Sequence, residues 1–211
     1  MYKSYQDSMT IVREYGKPDV FVAMTCSPTW EEIMEKIPDG QTAQDNPYIV
    51  ARVWQLKLGA ELKDLDEGVL GRVHARIYVV EFQKRGLPHA HILVILAEED
   101  KPRTRQIIDK MVSADLPDKE KNPQLYKTAT TCMIHGPCGA THPKAVCMKG
   151  GKYTNGFPKS LSKVTKGNVA GYPVYRRRRR AVGEVLTNGK EYDNETINQW
   201  VVPYNPCLSQ K

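Results

Sequence analysis

The chain of 211 residues is 40% hydrophobic, which gives it enough length and apolar content to fold around a core of its own. No stretch reaches the roughly 18 consecutive apolar residues that predict a membrane span, and the amino terminus is polar, unlike a secretion signal. These features argue against a membrane partner and against secretion. We therefore expect a nuclear or otherwise intracellular protein.

The net charge of +7 originates in one segment of the chain. Residues 121–183 contain 13 Lys and Arg and no Asp or Glu, whereas the residues on either side are on balance acidic. Such an uncompensated positive potential attracts a polyanion and favours nucleic acid as the partner. The charge also divides the chain, and we expect a folded core over residues 1–120 and a basic extension over residues 121–211.

The predicted elements begin with a strand over residues 20–25, which are β-branched and aromatic. A helix is predicted from Pro47, because the apolar positions that follow recur at helical spacing. Two consecutive strands are predicted over 73–80 and 89–96, and a glycine and a proline mark the turn that joins them as an antiparallel pair. A short helix over 104–112 completes this part of the chain.

The chain changes character from Asn122 onward, where Pro, Gly, Cys, His and Lys dominate and little periodicity remains. The Asn188-Gly189 pair is a strong signal for a hairpin turn. The sequence therefore predicts an α+β fold with an antiparallel central sheet, followed by a loop-rich extension that contains Cys and His.

Two histidines lie two positions apart in the last of the predicted strands before this change. A strand period of two directs His89 and His91 to one face, while Ala90 and Ile92 face the other. Glu81 ends the preceding strand, where antiparallel pairing brings it near both histidines. Two imidazoles and one carboxylate can hold a divalent ion and leave positions open for water or a phosphate oxygen. Hydrogen-bonded structural histidines are the alternative.

A second group of metal donors lies in the basic segment. Sulfur and imidazole ligands suit zinc, which prefers four of them in a tetrahedron. An odd total of five cysteines without a secretion signal disfavours disulfides. The candidate zinc ligands are Cys132, His135, Cys138, His142 and Cys147. The alternative is a reduced cluster that binds nothing, and we expect Cys26 and Cys207 to be small buried residues.

Five consecutive arginines, Arg176 to Arg180, are the strongest candidates for DNA contact, because each guanidinium can donate two hydrogen bonds to a phosphate. Aromatic residues near them in sequence could stack on unpaired bases. Lys84 and Arg85, in the turn between the paired strands, are further candidates for DNA contact. A nuclear import signal is the alternative interpretation of the arginine run.

The run from Glu81 to His91, with its Gln-Lys-Arg-Gly-Leu-Pro-His-Ala-His segment, resembles the second motif of HUH endonucleases in the form typical of the Helitron helicase-like domain. Residues 20–28 resemble the first motif of that family. Further blocks similar to the family follow in order over nearly the whole chain, and they begin at Cys132, Gly156, Tyr172 and Trp200.

This resemblance implies a HUH/Rep-like core, in which helices cover one face of the antiparallel sheet. It implies a divalent cation, Mg or Mn, held by the two histidines and a carboxylate placed like Glu81. It also implies nicking and joining of single-stranded DNA during rolling-circle replication, where a tyrosine hydroxyl attacks the phosphate and forms a 5′-phosphotyrosine.

The chain departs from the Helitron pattern at two places. In that family a Tyr-x-x-x-Tyr pair and a helicase domain follow the Pro-Tyr-Asn-Pro block, so we expect the nucleophile beyond Lys211 and a helicase in the full-length protein. The family also has a cysteine where this chain has Tyr153. We therefore expect this chain alone to be inactive as a nickase, either as a fragment or as a decayed copy.

Three functions remain open at this point. The first is the DNA nicking and joining region of a Helitron-type transposase. The second is a catalytically inactive DNA-binding remnant with a structural zinc. The third is an iron oxygenase with two histidines and one carboxylate as ligands, although such an enzyme has no need of an acid-free basic segment.

Overall fold

The computed structural model describes residues 2–83, 86–136, 138, 144–145, 147–154, 156–167, 173–187 and 190–210. The chain divides into two compact units, Met1–Lys101 and Pro102–Lys211. The charge-based division at 120/121 does not coincide with this boundary, because the segment that follows Pro102 makes its contacts with the second unit. No helix in the described part of the chain is long and apolar enough to cross a membrane.

Among its described residues, the first unit has three α-helices and three strands. In chain order they are α1 (Tyr2–Tyr15), β1 (Val20–Thr25), α2 (Glu31–Met34), α3 (Pro47–Asp66), β2 (Val73–Phe82) and β3 (Pro88–Leu96). The predicted strands and the helix that begins at Pro47 are confirmed. Helices α1 and α2 were not predicted from the sequence, since α1 is largely polar and α2 is a single turn.

The three strands form one antiparallel sheet in the order β1-β3-β2, so β3 is central. Ala90, Ile92 and Val94 on β3 are fully buried, while the alternate residues His89 and His91 are only half-buried. One face of the sheet therefore packs on the core and the other is open. The α+β class with an antiparallel central sheet is confirmed.

Helix α3 begins with Pro47 at its first position and buries an apolar stripe that includes Val50, Trp54 and Leu58. Its end is tied to the sheet by Arg76, whose guanidinium donates hydrogen bonds of 2.9 and 3.0 Å to the Asp66 carboxylate. Arg76 pairs with the buried Val94 and therefore lies on the core face of the sheet. The end of α3 is consequently on the face opposite to the histidines.

In the part of the second unit that the structure describes there are two α-helices and two small hairpins. In chain order they are α4 (Arg105–Met111), α5 (Pro123–Cys132), β4 (Met148–Lys149), β5 (Lys152–Tyr153), β6 (Glu184–Thr187) and β7 (Lys190–Asp193). The predicted short helix is confirmed as α4, which begins after the capping residue Thr104. The predicted hairpin is confirmed by the pairing of β6 with β7, although its turn residues Asn188 and Gly189 lie outside the described residues.

The core of the second unit surrounds a buried polar side chain. Its apolar members are Leu116, Leu125, Ala129, Val185, Tyr192, Ile197, Val201 and Tyr204. Asn198 is only 1% exposed, and its Oδ1 accepts a hydrogen bond of 2.8 Å from the Leu116 backbone N–H. Its amide nitrogen donates to Asp115 Oδ1 and to the Arg178 carbonyl, at 3.0 and 2.8 Å. Trp200 packs against this core and also against a smaller cluster of Cys138, Cys147 and Phe157.

Replacing this buried amide should destabilise the chain strongly. We expect Asn198→Ala to lower the free energy of unfolding by about 3 kcal/mol, because the Leu116 N–H and one oxygen of Asp115 would be left buried without this partner. Urea denaturation of the full chain measures the effect, with the exposed residue change Glu120→Ala as the control. Equal unfolding midpoints for Asn198→Ala and the unmodified chain would contradict this role.

Candidate metal centres and nucleic-acid interface

The open face of the sheet brings together side chains from all three strands. In the strand register His89 lies between Thr25 of β1 and Glu81 of β2. The rings of His89 and His91 have centroids 4.5 Å apart, and Glu81 Oε2 lies 3.6 Å from His91 Nε2. The predicted carboxylate and both predicted histidines are thus neighbours on one face.

The two histidines have different surroundings. His89 Nδ1 lies 2.7 Å from Thr25 Oγ1. Burial lowers the pKa of His89 and the neighbouring His91 lowers it further, while Glu81 partly opposes the shift. His91 stacks on the exposed ring of Phe21 at a centroid distance of 5.5 Å, and its buried Nδ1 has no hydrogen-bond partner among the described residues. The lowered pKa favours the neutral imidazole that a metal ion requires.

Two of the three predicted ligands, Glu81 and His91, lie close together. Ligands at about 2.1 Å from an ion are roughly 3 Å apart when they bind at right angles, and the 3.6 Å between Glu81 and His91 is close to that spacing. The side chains of His91 and Glu81 are 36% and 62% exposed. The candidate DNA-contact residues Lys84 and Arg85 lie outside the described residues.

A second donor group lies in the second unit. The donor atoms of His135, Cys138 and Cys147 all lie within 4.8 Å of one another. His135 Nε2 is 3.3 Å from Cys147 Sγ and 3.6 Å from Cys138 Sγ. These three residues could hold a metal ion, with one imidazole and two thiol groups as ligands.

The position of His135 is defined by packing and backbone hydrogen bonds. Its ring stacks on Phe157 at 4.3 Å, and its backbone N–H donates to the Trp200 carbonyl at 2.8 Å. The Cys147 carbonyl accepts bonds of 2.8 Å from the N–H and the hydroxyl of Thr154. Burial, with a contribution from Cys147, raises the pKa of Cys138 to about 11. The Cys138 thiol therefore keeps its proton until a cation displaces it.

Of the other two predicted zinc ligands, Cys132 is exposed at the end of α5 and is not part of this group. His142 lies outside the described residues. Cys26 is buried, as predicted, whereas the prediction for Cys207 is wrong because that residue is exposed. Its neighbour Asn205 caps the turn that contains it, through hydrogen bonds to the N–H groups of residues 207 and 208.

Three of the five arginines bind groups within the second unit, and one of them, Arg177, is buried. Arg177 is 4% exposed, and its Nη1 donates bonds of 2.6 Å to the carbonyls of Asn198 and Val201. Arg180 donates to the Leu116 carbonyl and to an asparagine side chain. Arg176 lies 3.4 Å from the Asp109 carboxylate. These guanidiniums bind protein carbonyl and carboxylate groups, whereas contacts with DNA phosphates were predicted for them.

Arg178 and Arg179 are different, since their side chains are 58% and 64% exposed. Arg178 Nε donates to Asp115 at 2.7 Å, and Arg179 pairs with Glu195. Both arginines line an open groove of about 520 Å³, which is also lined by Lys163. The acids that balance the basic segment thus come from outside it, a pairing that charge counting along the chain could not reveal.

Fold and sites together define a mixed α+β protein that carries a histidine pair on an open sheet face and a His/Cys/Cys group able to hold a metal. A family model described as the Helitron helicase-like domain at the N-terminus matches residues 1–94. The match supports such a domain over this stretch, which includes the strands that carry Glu81, His89 and His91, and it suggests an association with nucleic acid. No curated protein matches the chain.

Metal binding by His135, Cys138 and Cys147 can be tested with Co²⁺, which gives a thiolate charge-transfer band when cysteines bind it. We expect this band for the full chain and for Cys132→Ser, because Cys132 lies outside the His135 group. Cys147→Ser should weaken the band strongly, since it removes one of the two sulfur ligands. Absorption spectroscopy during a Co²⁺ titration measures the difference. An equally weakened band in the two variants would show that the ligand set is wrong.

Proposed function

We propose that this chain is the single-stranded DNA binding and metal-dependent nicking and joining region of a Helitron-type rolling-circle transposase. The observation that carries the proposal is the meeting of Glu81, His89 and His91 on an open sheet face, within the stretch that matches the Helitron model. The antiparallel sheet with α3 attached to its core face supports a HUH/Rep-like core.

In this proposal His89, His91 and Glu81 hold a Mg or Mn ion. The bound ion would supply Lewis-acid polarisation of a scissile phosphate. The protein contributes rigid placement, because the two histidines come from the central strand and the carboxylate from its paired neighbour. The open face gives a single DNA strand access to the ion. The lowered pKa of His89 favours its neutral imidazole, which has a nitrogen lone pair for the ion.

The proposed DNA surface of the second unit includes only two of the five consecutive arginines, Arg178 and Arg179. Arg178 and Arg179 each use one side of the guanidinium for a carboxylate, which leaves further N–H groups for phosphate oxygens. Lys163 adds a third charge in the same groove. Arg176, Arg177 and Arg180 support this surface through their internal hydrogen bonds. Lys84 and Arg85 remain candidates for DNA contact.

A second candidate function is a catalytically inactive DNA-binding protein with a structural zinc. The compact group of His135, Cys138 and Cys147 favours it, because two thiolates and an imidazole suit zinc better than magnesium. Water or a further side chain would complete the tetrahedron. The two candidates differ only in whether the sheet histidines bind an ion that contacts DNA.

The metal site of the sheet can be tested with Mn²⁺, whose electron paramagnetic resonance signal reports the free ion. We expect the full chain to bind Mn²⁺ and His91→Ala to lose that binding, because one of two imidazole ligands is removed. With a single-stranded oligonucleotide present, the unmodified chain should broaden the ³¹P signals beyond the level that Mn²⁺ alone produces, since Mn²⁺ also binds phosphate directly. The same extra broadening in His91→Ala, or no Mn²⁺ binding by the unmodified chain, would contradict the proposed site and favour the second candidate function.

The basic groove can be tested by the salt dependence of single-stranded DNA binding. We expect Lys163→Ala combined with Arg179→Ala to weaken binding and to reduce the slope of log K against log salt by about 0.7 for each phosphate that the variant no longer neutralises. Fluorescence anisotropy of a labelled oligonucleotide measures both quantities. Lys17→Ala, a change at an exposed lysine of the first unit, is the control. An unchanged slope in the double variant would remove the groove from the DNA surface.

A further inference from the structure

We infer that Thr25 is a positioning residue for His89, which orients the ring so that Nε2 is presented to the metal ion. This inference rests on the proposed function and adds a residue that is not one of the proposed ligands Glu81, His89 and His91. Thr25 closes β1 and lies on the opposite side of His89 from the Glu81 carboxylate. His89 is therefore flanked in one row by a hydroxyl and a carboxylate.

The contact between the two side chains is short. Thr25 Oγ1 lies 2.7 Å from His89 Nδ1, within the range of a strong hydrogen bond. The backbone pairing of β1 with β3 continues one residue beyond Thr25, where the Cys26 N–H donates a hydrogen bond of 3.1 Å to the Pro88 carbonyl. The Cys26 side chain is buried. The end of β1 is thereby held beside His89, and the hydroxyl stays within reach of the ring.

A neutral imidazole carries one N–H and one free lone pair, and a cation binds only the nitrogen with the lone pair. When Nδ1 keeps its proton and donates it to Thr25 Oγ1, Nε2 of His89 is left as the ligand. Partners of this kind on the second ring nitrogen set the tautomer and the ring orientation of metal-binding histidines, and their loss typically weakens metal affinity by about 10- to 100-fold.

His91 provides an internal comparison. Its ring is held by stacking on Phe21, and its Nδ1 has no hydrogen-bond partner among the described residues. Strand β1 therefore contacts both rings, one through a hydroxyl and one through an aromatic face. Removing the Thr25 hydroxyl should change the tautomer and orientation of His89 and leave the stacking of His91 on Phe21 in place. The effect of Thr25 can therefore be distinguished from a change that affects both rings.

The test uses the full chain and the variants Thr25→Val and Thr25→Ser. Valine keeps the β-branched shape that suits a strand but lacks the hydroxyl, and serine restores the hydroxyl. We expect Thr25→Val to weaken Mn²⁺ binding by about tenfold and Thr25→Ser to retain the original affinity. Nitrogen-15 spectra of the imidazoles should show the Nδ1–H form of His89 in the unmodified chain and a mixture of tautomers in Thr25→Val.

Val22→Ala is the matched control, because Val22 lies on the same strand but pairs with the buried Ile92 on the core face. It should lower stability without changing Mn²⁺ affinity, and circular dichroism verifies that each variant folds. Wild-type affinity and an unchanged tautomer in Thr25→Val would overturn the inference while leaving the proposed function intact. Failure of the unmodified chain to bind Mn²⁺ would overturn both.

Discussion

The antiparallel pairing of β3 with a strand on each side determines which side chains can meet in the first unit. In that register a hydroxyl, an imidazole and a carboxylate from three strands form one row, Thr25, His89 and Glu81. A shift of one residue would turn both histidines into the core and expose Ala90 and its alternate neighbours. The burial of the apolar face therefore fixes the geometry of the polar one, and the site depends on the core behind it.

The two units carry donor sets of different chemical character. The sheet face offers nitrogen and oxygen, which suit hard or borderline cations, whereas the second unit offers sulfur with nitrogen, which suits zinc. The second unit also neutralises much of its own positive charge with Asp109, Asp115 and Glu195, which lie on either side of the basic segment in sequence. Charge that is uncompensated along the chain is thus partly compensated in space by these carboxylates.

Much of the first unit could be predicted from the sequence, because local patterns determine it. Alternation along β3 separated the histidines from the apolar residues, and the short turn placed Glu81 opposite His89. Helix α5 was missed since only Leu125 and Ala129 are buried, too few to give a visible period. The contact of Thr25 with His89 and the burial of Arg177 join residues far apart in sequence. Neither residue type nor spacing signals such contacts.

Trp200 packs against both apolar clusters of the second unit, the one around Ile197 and the one formed by Cys138, Cys147 and Phe157. The Trp200 indole therefore connects the packing of the smaller cluster to that of the larger core, and the Tyr192 hydroxyl adds a second link by donating a hydrogen bond to the His135 carbonyl. An ion bound by His135, Cys138 and Cys147 would raise the melting temperature of the second unit, because ligands that bind only the folded state shift the folding equilibrium. Metal binding by these three residues would then be measurable as a change in the cooperative unfolding of the unit.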